Sequence, residues 1–164
     1  MSDQYYPVPQ PEEIEIRERE DAMGSYFMMF ASMGAGLPLP FLNLIASAIY
    51  FYVNRNKGRF VKFHLVQSMY SQIPVTLMNS VAVVWGLRLF FTGGEISQAF
   101  AGFLVTLLVV NLAYFILSVI AAVQARQGRF YYFPFFGKMA YHMSFLKTWN
   151  DDDEYVGPIN HPPV

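Results

Sequence analysis

The chain has 164 residues, a formal net charge of -1 and no cysteine. Hydrophobic residues make up 54% of it and charged residues only 14%, well below the quarter that is typical of soluble domains. The lack of cysteine excludes disulfides and thiolate chemistry. The high apolar fraction indicates the lipid bilayer as a partner. Charged residues are concentrated in a few segments, which leaves no basic face for nucleic acid, and we expect no nucleic-acid partner.

The residues before position 22 form an acidic, proline-containing N-terminal arm. Pro7, Pro9 and Pro11 favour an extended segment. Residues 12–21 combine helix formers with mixed charge and predict a short surface helix. We therefore divide the chain into the arm (1–21), a transmembrane helical domain (22–149) and an acidic, Pro-rich C-terminal tail (150–164).

Three stretches contain no Asp, Glu, Lys or Arg: residues 22–54, 63–87 and 96–125. A spanning helix needs about 20 mostly apolar residues to cross a hydrocarbon core about 30 Å thick. Each stretch exceeds that length. The sequence therefore predicts an all-α membrane protein with three transmembrane helices, at about 25–53, 61–91 and 97–125.

The first predicted span is interrupted by glycines and prolines between Gly34 and Pro40. These residues weaken helical hydrogen bonding and predict a kink or a break. Two full crossings do not fit in about 29 residues at 1.5 Å each, so we expect one kinked or broken crossing. Small residues spaced by four predict a close-packing face for a neighbouring helix: Ala31, Ser32, Ala35 and Gly36.

Basic residues in the loops predict the orientation in the membrane. The loop at 54–62 should be cytoplasmic, and the third span returns to a second basic turn on that side. The topology-setting residues are Arg55, Lys57, Arg59, Lys62, Arg126 and Arg129. Three crossings then put the N-terminal arm on the opposite side. Residues 130–149, rich in aromatics, predict an interfacial helix near 138–149, with a fourth crossing as the alternative.

Uncharged polar residues form a stripe along one face of the second predicted span. At membrane depth such side chains seek hydrogen-bond partners. The stripe and two residues of the third span that could meet it are His64, Gln67, Ser68, Ser71, Gln72, Asn79, Asn111 and Ser118. It is either interhelical glue or a polar path for a solute, proton or peptide. We favour glue, because ion and proton relays usually need a charged residue at mid-depth.

Cofactor and enzyme signals are weak throughout. His64 and His142 could in principle ligate haem iron, but no carboxylate stands nearby in sequence to orient either ring. The acidic run 151–154 lacks the spacing of a calcium loop. No nucleophile elbow, Walker loop or dinucleotide fingerprint is present. We expect no cofactor, no metal and no enzymatic activity.

Three segments resemble a known group of proteins: the kinked first span with its central prolines, the basic loop leading into Arg59–Ser68, and Ala121–Pro134 with its aromatic run. They are similar to small bacterial membrane proteins of undefined function that are distantly related to the twenty-kilodalton Tic component of chloroplast protein import. His64 and Ser68 stand where that group often has Asn and Ala. The resemblance implies a helical bundle in the bacterial inner (cytoplasmic) membrane, in a complex linked to protein translocation or assembly.

The leading hypothesis is a non-catalytic membrane subunit of a larger complex with hetero-oligomeric protein partners. A few helices have little interior, so most of the apolar side chains must face lipid or another protein chain. The alternative is a small transporter or channel that uses the polar stripe of the second span.

Overall fold

A computed structural model describes residues 5–31 and 40–146 of the chain. This part forms five helices: α1 (Ile16–Phe27), α2 (Pro40–Asn54), α3 (Arg59–Thr92), α4 (Gln98–Arg126) and α5 (Phe136–Phe145). Two short 3-10 turns, Pro11–Glu13 and Met28–Phe30, flank α1. Within these ranges the extended pairing is one isolated antiparallel bridge between Tyr5 and Leu146. The predicted all-α class is confirmed.

Helices α3 and α4 are long and apolar enough to cross a membrane, with mean hydropathies of 1.5 and 2.5 in their most apolar windows. At 1.5 Å per residue their 34 and 29 residues give lengths of about 51 and 44 Å. They correspond to the predicted spans at 61–91 and 97–125. Helix α2 has 15 residues and is about 22 Å long, shorter than a hydrocarbon core.

Helices α1 and α2 pack side by side and run in opposite directions. Near the end of α2, the hydroxyl of Tyr50 donates a 3.0 Å hydrogen bond to the backbone carbonyl of Asp21 in α1. Lys57, just beyond α2, forms an ion pair with the Asp21 carboxylate. The Met28–Phe30 turn at the other end of α1 also packs on α2. The chain thus returns along α2 to the end of the molecule from which α1 started.

This hairpin changes the predicted course of the first apolar stretch. The single crossing at 25–53 is not confirmed, because the stretch is divided between the end of α1 and the whole of α2. Of the predicted break at Gly34–Pro40, Pro40 begins α2, and residues 34–39 lie outside the described residues. The three-span arrangement is therefore not confirmed, and two candidate spans remain.

The N-terminal arm lies at the same end as the basic loop, not at the opposite end as predicted. The Glu18 carboxylate accepts a 3.1 Å hydrogen bond from the backbone N–H of Gly58. Glu20 forms a 2.8 Å ion pair with Arg126 at the end of α4. We call this end of the molecule, residues 5–21, 54–62 and 126–146, the arm face.

At the opposite end a short turn joins α3 to α4. Gly93 closes α3 with a φ of +62°, a left-handed conformation that glycine adopts without strain. Ser97 caps α4, and its hydroxyl accepts a 3.2 Å hydrogen bond from the backbone N–H of Phe100. The two spans are thus antiparallel neighbours with residues 93–97 between them.

The arm and α5 cover the first turns of α3. Val8 is buried in an apolar cluster with Phe63, Val66 and Phe145. The backbone N–H of Tyr6 donates a 2.8 Å hydrogen bond to the carbonyl of Phe145. A second buried cluster, around Ala121 and Ala125, joins the arm and α1 to α4. The arm is therefore a packed part of the fold.

Helix α5 falls within the region predicted as an interfacial helix. Phe135, directly before it, has a φ of +64°, which is rare for a residue other than glycine. Its side chain is 91% exposed, and aromatic rings favour the headgroup boundary. The interfacial position of α5 stays a prediction, and residues 147–149 lie outside the described residues.

Gly137, in the first turn of α5, has no room for a side chain. An added Cβ would stand 2.6 Å from Cβ of Tyr132 and 2.8 Å from its Cα. We expect Gly137→Ala to lower the free energy of unfolding by about 1–3 kcal/mol, measured by thermal melts in detergent. Gly102→Ala in α4 is the matched control, since nothing lies within 4 Å of its added Cβ. Equal melting of the two variants would contradict this packing.

Candidate functional site: a buried polar network

The first part of the predicted polar stripe is buried at the centre of the bundle. Its members recur at helical spacing and occupy one face of α3, and each is at most 3% exposed: His64, Gln67, Ser68, Ser71 and Gln72. A polar helix face in lipid must turn towards other helices, where its side chains find partners. Here the partners come from α1, α2, α4 and the segment between α4 and α5.

Gln67 joins three parts of the chain. Its Nε2 donates to the hydroxyl of Tyr26 in α1 and to the backbone carbonyl of Tyr131, both at 2.8 Å. Its Oε1 accepts from the backbone N–H of Phe133 at 3.0 Å. Both amide hydrogens and the amide oxygen are thereby used. This side chain fixes the aromatic segment that follows α4 against the first turns of α3.

His64 lies one turn earlier and shares the same tyrosine. The hydroxyl of Tyr26 is 2.8 Å from Nδ1 of His64. Gln67 also donates to that hydroxyl, so the hydrogen of Tyr26 is available to Nδ1 in the tautomer that carries the imidazole proton on Nε2. The rings of Phe60, Phe63 and Phe130 surround the imidazole, with centroids 4.6–5.9 Å away. His64 is thus fully buried and shares the Tyr26 hydroxyl with Gln67.

The other histidine considered for haem lies apart, in α5. Nδ1 of His142 is 2.9 Å from the hydroxyl of Tyr5 in the arm, and its side chain belongs to the exposed arm face. His64 and His142 therefore have separate tyrosine partners. Over residues 5–31 and 40–146, no group of three or more His, Cys, Asp or Glu could hold a metal ion.

Serine and glutamine side chains continue the network deeper into the bundle. The hydroxyl of Ser68 donates to the backbone carbonyl of Ser25 at 2.7 Å. Nε2 of Gln72 donates to the hydroxyl of Ser47 in α2 at 2.6 Å. The hydroxyl of Tyr114 in α4 lies among three further members of the predicted set: Ser71, Gln72 and Ser118. Every helix that contacts α3 at this depth supplies a polar partner.

Asn79 and Asn111 form a reciprocal pair between the two spans. Nδ2 of Asn79 donates to Oδ1 of Asn111 at 3.1 Å, and the reverse bond is 3.3 Å. Each amide also donates to the carbonyl four residues earlier in its own helix. The structure therefore pairs Asn111 with Asn79 as expected. Ser118 lies near the Tyr114 hydroxyl, but its own hydroxyl is buried without a hydrogen-bond partner among the described residues.

A cavity of about 360 Å³ opens beside this pair, between α2, α3 and α4. Its polar lining consists of uncharged side chains: Asn43, Gln72, Thr76, Asn79 and Asn111. The remaining lining is apolar and aromatic, including Val75 and Phe115.

The predicted close-packing face is only partly within the described residues. Ala31 ends the first described range, and Ser32, Ala35 and Gly36 lie outside it. A close approach occurs instead at Gly24, where an added Cβ would stand 2.4 Å from the hydroxyl of Tyr50. It joins α1 to α2, and sequence reasoning missed it.

All the basic residues predicted to set topology lie on the arm face. Lys57 and Arg126 are paired with Asp21 and Glu20. The guanidinium carbon of Arg59 lies 3.2 Å from the centroid of the Tyr6 ring, and that of Arg55 lies 4.4 Å from that of Tyr52, both cation–π contacts. Lys62 is half-buried and Arg129 exposed.

The Tyr132 phenol on this face stays neutral at physiological pH. Burial raises the pKa of the Tyr132 phenol, and the neighbouring Tyr141 raises it further. Tyr132 is therefore a hydrogen-bonding group and carries no charge. The charge of the arm face comes from its carboxylates and from the basic loops.

Several partners in the network were not predicted from the sequence. Tyr26, Ser25 and Ser47 lie in the first apolar stretch, where the kink drew attention away from them. The backbone groups of Tyr131 and Phe133 give no sequence signal as hydrogen-bond partners. A usable sequence signal was the position of Gln67 in the charge-free stretch 63–87. An amide at membrane depth has four hydrogen-bonding positions to satisfy, so partners from other segments were to be expected.

These features define a small helical membrane protein whose helices are joined by buried, uncharged hydrogen bonds. Residues 21–140 match the magnetosome magnetite crystal formation protein family, MamF/MmsF. Because the match covers well over half of the chain, the protein belongs to this family. No curated protein and no solved structure gives a match.

The resemblance to the relatives of the Tic component is wrong, since the matching family is the magnetosome family. The residues behind it meet general needs of membrane helices. A basic loop before Phe60 orients a span, and Gly128, with a φ of +72°, ends a helix as glycine commonly does. Such features recur in unrelated membrane proteins and do not separate one family from another.

Proposed function

We propose that this protein is a non-catalytic structural subunit of the magnetosome membrane, which supports magnetite crystal formation by holding partner membrane proteins in place. The observation that carries the proposal is the network around Gln67. Its polar side chains are buried and bonded to one another or to the backbone. Such a network stabilises one arrangement of helices and leaves the outer surface for partners.

The arm face is the proposed cytoplasmic side and the main partner surface. Its basic loops support this orientation by the positive-inside rule. Among residues 5–31 and 40–146, the short turn at 93–97 then reaches the opposite side, the side of the crystal. We therefore propose an indirect role in mineral growth, through hetero-oligomeric partners held at the membrane of the bacterium and its magnetosomes.

Gene replacement in a magnetite-forming host tests this function. Cells without the gene should form crystals of altered number or size, and the native chain should restore them. In mild detergent, the tagged native chain should retain a reproducible set of membrane proteins. Normal crystals in the deletion strain, or a native chain purified without partners, would contradict the proposal.

One observation favours a second function, a small transporter or channel. The cavity beside Asn79 and Asn111 is large enough for a small polar solute and lies midway along both spans. In this alternative the amides line a path. The two functions differ in what happens when the Asn79–Asn111 pair becomes apolar.

A further inference from the structure

A separate apolar groove of about 370 Å³ lies on the outside of the bundle, between α1 and α4. The α1 side provides Met23, Phe27 and the following Met29 and Phe30, and the α4 side provides Val119 and Val123. Phe27, Val119 and Val123 are 43–51% exposed. The groove therefore opens sideways, towards the hydrocarbon of the bilayer.

The two ends of the groove differ in polarity. Arg126 and Gln127 lie at one end, on the arm face, and Ser118 lies at the other. Eight residues of helix separate Ser118 from Arg126, a rise of about 12 Å. The groove thus runs from the level of the headgroups into the hydrocarbon, with the guanidinium of Arg126, ion-paired to Glu20, at its mouth and an apolar lining below.

We propose that this groove binds one anionic glycerophospholipid of the surrounding bilayer, with an acyl chain along the groove and the phosphate at Arg126. A partner helix is about 10–12 Å across with its side chains, which is too thick for this groove. An acyl chain is a single row of methylene groups and is thin enough to lie in it. The two methionines adapt readily to a flexible chain. The shape and the position of the charge both match an anionic amphiphile.

Arg126 can contact a phosphate without leaving its present partner. Its Nη1 contacts Glu20 at 2.8 Å, and both side chains are about half exposed. A guanidinium has five N–H donors in all, and arginine recognises phosphate through paired donors. The headgroup would join an exposed ion pair, which by itself contributes little to stability.

Native mass spectrometry from nanodiscs tests the proposal. The protein is reconstituted in phosphatidylcholine with a minor fraction of phosphatidylglycerol, and the lipid that stays bound after ejection is identified. The native chain should retain one phosphatidylglycerol above its share in the disc. Random retention in proportion to the mixture would overturn the proposal.

Two pairs of variants separate the groove from the general lipid surface. Val123→Trp fills the groove and should abolish the retained lipid, and Val119→Trp repeats the test one turn deeper. Leu108→Trp, at a 69% exposed position of the same helix, should change nothing. Arg126→Gln should lower the preference for phosphatidylglycerol about fivefold, whereas Arg55→Gln should not. Equal effects within either pair would overturn the proposal.

Discussion

Gln67→Leu is expected to destabilise the protein more than any other single change in the network. The substitution removes three hydrogen bonds. It leaves the buried backbone N–H of Phe133 and the half-buried carbonyl of Tyr131 without this partner. Each unsatisfied buried group costs about 1–3 kcal/mol, so we expect a loss of about 2–5 kcal/mol. Thermal melts of the purified protein in mild detergent, followed by circular dichroism, measure it.

Gln98→Leu is the matched control for this experiment. Gln98 begins α4 and is exposed, so its substitution should leave the melting temperature close to that of the native chain. If Gln67→Leu melts like Gln98→Leu, the buried amide contributes nothing to the fold. The account of the network as interhelical glue would then fail.

Labelling of single cysteines should give an all-or-none result for the sidedness of the arm. The chain has no cysteine, so each introduced thiol is the only target for a membrane-impermeant maleimide. Glu12→Cys in the arm and Asn56→Cys in the basic loop should be labelled from the same side of the membrane. Glu95→Cys, in the turn between α3 and α4, should be labelled only from the other side.

The unmodified chain gives the background for this labelling, and all three positions are exposed. A single crossing of the first apolar stretch makes a different prediction, because it places Glu12 on the side of Glu95. Labelling of Glu12→Cys together with Glu95→Cys would contradict the antiparallel arrangement of α1 and α2. That result would also contradict the contacts of Glu18 with Gly58 and of Asp21 with Lys57.

Charge patterning was sufficient to predict the two long spans. Arg59 and Arg126 lie at the outer ends of α3 and α4, and the Thr92–Ser97 turn separates the two helices, because burying charge in hydrocarbon is costly. The course of the first apolar stretch was not predictable in the same way. The length of this stretch is compatible with one crossing or with a shorter helical hairpin. The hairpin is stabilised by contacts between residues far apart in sequence, such as the hydrogen bond from Tyr50 to Asp21, and the sequence does not show which residues will meet.

The candidate site shows a similar division. The spacing of His64, Gln67 and Gln72 identified the buried face of α3, because uncharged polar residues in a span seek partners. The partners themselves were mostly not predictable, since a backbone carbonyl at Tyr131 looks like any other in a sequence. The Asn79–Asn111 contact could be anticipated, because both amides lie in the middle of apolar helices.

Substitutions of Asn79 and Asn111 most directly distinguish a structural subunit from a transporter or channel with a polar path. Each single leucine substitution leaves one half-buried amide without its partner and should cost about 0.6–2 kcal/mol. In a scaffold the double substitution should recover that stability, because replacing both partners by apolar groups can be nearly neutral. A polar path would instead lose two of the amides that line it, while Asn43, Gln72 and Thr76 remain.

The decisive measurement is therefore the magnetite crystals formed by a deletion strain that carries Asn79→Leu together with Asn111→Leu. Protein levels are compared in the same cells to exclude loss of the chain. The account predicts crystals of native number and size from a stably folded double variant. A double variant that is present at native levels but fails to restore the crystals would contradict it.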